Sequence, residues 1–158
     1  MNPAVSPAHA GYLRRETAIS AAINSLLSLL FFVAVFHGQD PVMVWVTGGW
    51  VLDCVPQGFM IGFMSTLVPG ILTRRRLAAG AVAPLAVPSL LPRRVLPRAV
   101  LVGAGLAVLG TLVVGAIAAG LGVEALSQPV AGAIKVIYGA LLATLVTPPT
   151  LRAALVAA

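Results

Sequence analysis

The sequence predicts an all-α membrane protein of four transmembrane helices with both termini cytoplasmic, its two halves reading as parallel helical hairpins. Three observations predict it. Of 158 residues, 59% are hydrophobic and only 9% charged, at a mean hydropathy of +1.04, whereas about a quarter of the residues of an ordinary soluble domain are charged. Apolar windows of about 20 residues, the length that crosses a hydrocarbon core about 30 Å thick, recur along the chain. The basic residues gather at alternate ends of those windows, which is the positive-inside pattern.

Residues 1–16 read as a cytoplasmic tail, disordered over residues 1–11 with Pro3, Pro7 and Gly11, and closed by the flank Arg14-Arg15-Glu16. The first span covers residues 17–36 and stops at the polar turn of residues 37–41. The window that follows, residues 42–72, is too long for one perpendicular helix and is interrupted only by Asp53. Trp45 and Trp50 suit a headgroup interface, and counting back about 22 residues from Arg74-Arg75-Arg76 gives the same boundary. The second span is therefore expected over residues 47–72, with Asp53 about one turn below its outer end. Residues 73–98 form a Pro/Arg-rich cytoplasmic loop, since Pro84, Pro88 and Pro92 would each remove a helical hydrogen bond. This loop is expected to lie on the interface, a re-entrant element being the alternative. The third span covers residues 99–121. The fourth covers residues 129–147 and is expected to stop at Pro148-Pro149, leaving residues 148–158 as a cytoplasmic C-terminus.

Arg14 and Arg15 precede the first span, Arg74, Arg75, Arg76, Arg93, Arg94 and Arg98 flank the loop between the second and third, and Arg152 follows the fourth. The opposite loops carry only Asp40 and Glu124. This distribution puts the chain in a membrane, the inner one in a bacterial host, with both ends inside. The outer end of the first span, Ala34-Val35-Phe36, lacks the small-x-small pattern of a cleaved signal. The formal charge of +6 does not indicate nucleic acid, because the arginines sit at helix ends without interleaved aromatics to stack bases. Those between the second and third spans suit anionic lipid headgroups, each contributing about 1 kcal/mol near the surface.

The composition also excludes chemistry. The chain has 4 acidic residues and 1 cysteine, and the acids Glu16, Asp40, Asp53 and Glu124 are too scattered for a carboxylate dyad or a multi-carboxylate metal site. His9 and His37 lack neighbouring ligands. Cys54 reads as a small buried apolar residue that points about 100° away from Asp53 around the helix. No metal, cofactor or enzymatic nucleophile with its base is expected.

Helix faces carry the rest. Gly103, Ala107, Thr111, Gly115 and Ala119 recur at every fourth position of the third span, and Gly139, Ala143 and Thr147 do so in the fourth, which predicts close packing of these two helices on each other. In the first span Thr17, Ser20, Asn24 and Ser28 form a polar stripe. The hydroxyls can fold back on their own helix, but Asn24 needs an interhelical partner. Asp53 and Gln57 share a face of the second span, with Pro56 between them to free the Leu52 carbonyl and kink the helix. Lys135 is the only charge in the fourth span, flanked by Gly132 and Gly139, with Tyr138 one turn away. As the only intramembrane charges of opposite sign, Asp53 and Lys135 are candidates for a pair. A shared Thr-Leu-Val at residues 66–68 and 144–146 aligns the halves in the same sense and sets Gln57 opposite Lys135; chance produces such a match in apolar sequence as readily as duplication.

Two function classes follow. One is a non-enzymatic accessory or assembly component of a membrane complex, its polar residues holding the bundle together. The other is a small permease or channel-like protein acting as an oligomer, with Asn24, Asp53, Gln57, Lys135 and Tyr138 along a polar path.

Overall fold

The computed structural model describes residues 6–85 and 90–156. Four helices, α1 (Pro7–Val35), α2 (Cys54–Ala78), α3 (Val95–Gly120) and α4 (Gln128–Leu155), are each long and apolar enough to cross a membrane. Two short strands, β1 (Val42–Met43) and β2 (Ala125–Leu126), pair antiparallel with Val42 opposite Leu126. They tie the two loops together at the end of the bundle away from the arginines.

α1 starts earlier than the sequence predicts. Ser6 caps it by accepting the His9 N–H at 3.3 Å, and Pro7 follows at the first helical position, where its missing N–H costs nothing. Residues 7–11, expected to be disordered, are therefore helical; residues 1–5 lie outside the described residues. Tertiary contacts hold the extension in place. Leu13 is buried with Leu85, Leu151 and Leu155, and His9 Nε2 lies 2.9 Å from the Ala83 carbonyl oxygen. The segment before α3 thus folds back over the arginine-rich end of α1 and α4, and Leu85 bridges Val156. Pro88 falls outside the described residues.

α2 begins at Cys54 and not at residue 47. Gly48 adopts φ +75°, and a Cβ on Gly49 would stand 2.8 Å from the Val46 carbonyl oxygen, so the chain turns tightly here. The Trp50 N–H then donates to the Met43 carbonyl at 3.0 Å. Pro56 falls in the first turn, where no backbone donor is required, and the Leu52 carbonyl accepts the Val55 N–H at 3.1 Å, so the expected kink does not form. At its other end α2 runs on through Arg74, Arg75 and Arg76.

α4 passes through Pro148 and Pro149, which were expected to stop it. Leu151, Ala153, Ala154 and Leu155 in its last turns are buried, and that packing offsets the lost backbone bonds. The hydroxyls of Thr147 and Thr150 donate to the Ala143 and Val146 carbonyls at 2.7 and 2.9 Å, adding side-chain bonds where the backbone ladder is thinned.

The helices pack in the order α1, α4, α2, α3. Within each half the two helices barely touch, α1 lying against α4 and α2 between α4 and α3, so the halves interlock where two separate hairpins were expected. The predicted contact between the small faces of α3 and α4 is also corrected. Gly103 and Ala107 of α3 meet Gly58 and Gly62 of α2, close enough that a Cβ on Gly62 would come within 2.9 Å of the Gly103 Cα. Gly132 and Gly139 of α4 receive Phe32 and Ser28 of α1. Gly115 lies outside the tight part of its row, its nearest neighbour a Val51 methyl at 3.5 Å from an added Cβ.

Candidate functional site

Asp53 is the residue that caps α2, and its N–H donates to the Gly49 carbonyl at 3.1 Å, so the same tight turn that delays the helix also fixes the acid at its mouth. Lys135 lies two turns into α4 and is 1% exposed. Its Nζ stands 2.9 Å from Asp53 Oδ2, donates to Cys54 Sγ at 3.2 Å and lies 5.1 Å from the Trp50 ring centroid. Trp50, expected at the headgroup level, is buried, with its Nε1 donating to the Ala131 carbonyl at 3.1 Å; Trp45 is the exposed ring. Cys54 faces the ammonium and does not point away, because the late start of α2 turns the first helical residue toward α4. An uncompensated lysine at the centre of a membrane helix costs about 2.5–3.5 kcal/mol on insertion scales. Carboxylate, thiol and indole face offset that cost together.

Gln57, one turn along α2, donates through Nε2 to Ser28 Oγ at 2.9 Å and to the Lys135 carbonyl at 3.2 Å, spanning α1, α2 and α4. Its Oε1 is buried without a partner among the described residues. Asn24, one turn further along α1, donates to the Ser20 carbonyl at 2.8 Å and to Ser65 Oγ at 3.0 Å. Ser20 donates to Ser65 at 3.1 Å, and Thr147 Oγ1 lies 3.0 Å from Ser20 Oγ. Tyr138 does not join this group: its hydroxyl is turned against Gly110 of α3 and has no hydrogen-bond partner among the described residues.

The seam continues to the arginine-rich end. Arg76 Nη1 donates to Glu16 Oε1 at 2.6 Å and to Tyr12 Oη at 3.0 Å, and Tyr12 donates to Thr73 Oγ1 at 2.8 Å. Glu16, Ser20, Asn24, Ser28 and Phe32 are successive members of the buried face of α1. The helix is thus polar inward and apolar outward, as a helix surrounded by hydrocarbon should be. Sequence reading missed Glu16 and Ser65. The signal for Glu16 was present, since it continues the stripe of Ser20, Asn24 and Ser28 by one turn of four; Ser65, a lone serine in an apolar stretch, offered none.

Beside the seam, a cleft of about 120 Å³ opens between α1 and α2, walled by Phe31, Met60 and Met64, with Asn24, Gln57 and Lys135 lining its floor. The arginines proposed for lipid contact divide. Arg75, Arg93 and Arg94 are exposed, Arg74 donates to the Arg93 carbonyl and Arg76 is engaged with Glu16. Arg98 is 0% exposed, with Nη1 3.4 Å from the Pro92 carbonyl oxygen, and so does not present its charge at the surface.

The chain matches no protein-family model, no curated protein and no solved structure.

Proposed function

We propose that the protein is a polytopic inner-membrane component with both termini cytoplasmic, serving without catalysis as an accessory or assembly subunit of a larger membrane complex. One observation carries this reading: the polar groups of the seam are largely spent on one another. Asp53 and Lys135 pair directly, Asn24, Ser20, Ser65 and Thr147 form a connected group, and Glu16 is bound by Arg76. Such a seam sets the register of α1, α2 and α4. The broad apolar faces of α1 and α3, with Leu26, Leu30, Leu109 and Leu112 exposed, are then available to lipid, to a second copy or to a larger partner. Anionic headgroups, not nucleic acid, are the ligands proposed for the exposed arginines.

The cleft beside Gln57 favours a second reading, a small permease acting as an oligomer, because the polar residues Asn24, Gln57 and Lys135 line a cavity that a small solute could enter. Extraction of the protein from its own membranes in mild detergent separates the two. A stable complex with a larger, different membrane protein is the outcome the accessory reading requires. A homo-oligomer with a hydrated centre would replace it with the permease reading.

A further inference from the structure

A second depression lies between α1 and α4 at the arginine-rich end. It is an open groove of about 490 Å³. The two arginines that line it, Arg14 and Arg152, are both exposed, and their guanidinium groups make no hydrogen bond or ion pair among the described residues. Among the described residues the acidic side chain closest in sequence to Arg14, Glu16, is on a different face of α1 and is taken by Arg76. From the arginines the groove runs past Thr17 and Ala18 to Ala21 and Thr144, about 10 Å further along the helix axes. Its depth comes from side chains that are missing. Alanines on α1 and the ring of Pro148 on α4 leave a trough where leucines would fill the surface. Thr17 contributes to its wall, with its hydroxyl turned away from the open space.

We propose that this groove is a binding site for one anionic glycerophospholipid, its phosphodiester held between Arg14 and Arg152 and one acyl chain laid in the trough toward Ala21. Charge complementarity selects the occupant. Two cations without counterions stand at the end of the helices where headgroups lie, and an apolar trough leads from them into the hydrocarbon, which is the form of known basic headgroup pockets between transmembrane helices. A zwitterionic lipid would bring its own cation against the arginines. Free phosphate would leave the trough empty, and a partner helix would have to place a carboxylate between both guanidiniums. The site is independent of whether the bundle serves a complex or a solute.

The test is native mass spectrometry of the protein released from nanodiscs of equal parts phosphatidylglycerol and phosphatidylcholine. The wild type should carry one phosphatidylglycerol in clear preference to phosphatidylcholine. Arg14→Gln with Arg152→Gln should reduce that preference roughly thirtyfold, about fivefold for each surface cation. Ala18→Leu, which keeps both charges and fills the trough, should also reduce it. Arg93→Gln with Arg94→Gln removes the same charge from arginines that meet headgroups at the surface without a trough to hold an acyl chain, and so should lower retention of the single bound lipid by no more than about twofold. All substituted residues are exposed, and matched thermal unfolding confirms that each variant folds. An unchanged preference in the Arg14/Arg152 variant, an equal loss in the Arg93/Arg94 variant, or full binding by Ala18→Leu overturns the proposal. Displacement of the adduct by millimolar inorganic phosphate would make the site one for a free anion, and a dimer lost on Ala18→Leu would give the groove to a second copy; either result also overturns it.

Discussion

Removing Asp53 should destabilise the protein more than removing Lys135, and removing both should restore most of the loss. With Asp53→Ala the ammonium of Lys135 stays at a site 1% exposed, keeping only the Cys54 thiol and the Trp50 face. Breaking one side of a buried pair costs about 3–5 kcal/mol, and the two remaining contacts put this case at about 3 kcal/mol. With Lys135→Met the volume is kept and the carboxylate left behind retains 20% of its side-chain exposure, so it rehydrates from the loop end at a cost of about 1 kcal/mol. The double variant should lie within about 1 kcal/mol of the wild type, because no charge is then left uncompensated in the hydrocarbon. The coupling energy is therefore expected near 3 kcal/mol. Unfolding in mixed micelles by increasing sodium dodecyl sulfate, followed by far-ultraviolet circular dichroism, measures all four corners of the cycle. Additivity within about 0.5 kcal/mol would show that the two groups do not stabilise each other, and would refute the reasoning.

The interlocked packing predicts that Gly62→Leu, whose first side-chain atom would stand 2.9 Å from the Gly103 Cα, separates α2 from α3 and lowers stability in detergent by about 3 kcal/mol or more. Gly115→Leu, with only a Val51 methyl at 3.5 Å, should cost under about 1 kcal/mol; equal losses at the two positions would contradict the helix order. The proposed orientation predicts that a reporter active only in the periplasm is silent when fused after Ala158 and active when inserted near Gln39, and an active fusion at Ala158 would remove the four-span orientation.

The helices themselves were legible because hydrocarbon imposes a length and composition that few other environments share, and all four spans contain a helix near the expected place. Their ends were not. Ser6-Pro7 is a helix start written in the sequence, yet two prolines and a glycine within residues 1–11 read equally well as disorder until Leu13 and His9 find partners in α4 and the loop before α3. Pro148 and Pro149 read as a stop because the buried face of Leu151 and Leu155, which holds the helix together beyond them, exists only after folding. The second helix starts later than expected because a tryptophan reads as a headgroup anchor, whereas Trp50 covers Lys135 from inside. Small-residue rows mark close-packed faces only in part, Gly103 and Ala107 meeting α2 while Ala119 of the same row is exposed, and carry no information on which helix each row meets. Within the seam, Asn24, Asp53, Gln57 and Lys135 were legible as polar atoms too costly to leave alone in lipid. Tyr138 was misjudged since helical spacing places it one turn from Lys135 while its long side chain reaches α3.

Ser65 sits midway along the seam, 2% exposed, between the Asp53–Lys135 pair and the Glu16–Arg76 pair, and it tests most directly whether the seam is closed structural packing or a hydrated path. The measurement is labelling of a Ser65→Cys variant, made in a Cys54→Ala background so that it carries the single thiol, by a small water-soluble maleimide added to sealed membranes and, separately, to membranes opened on both sides. A seam whose polar groups are spent on one another predicts no labelling from either side and full labelling after denaturation; modification of folded Ser65→Cys from either side would contradict the account.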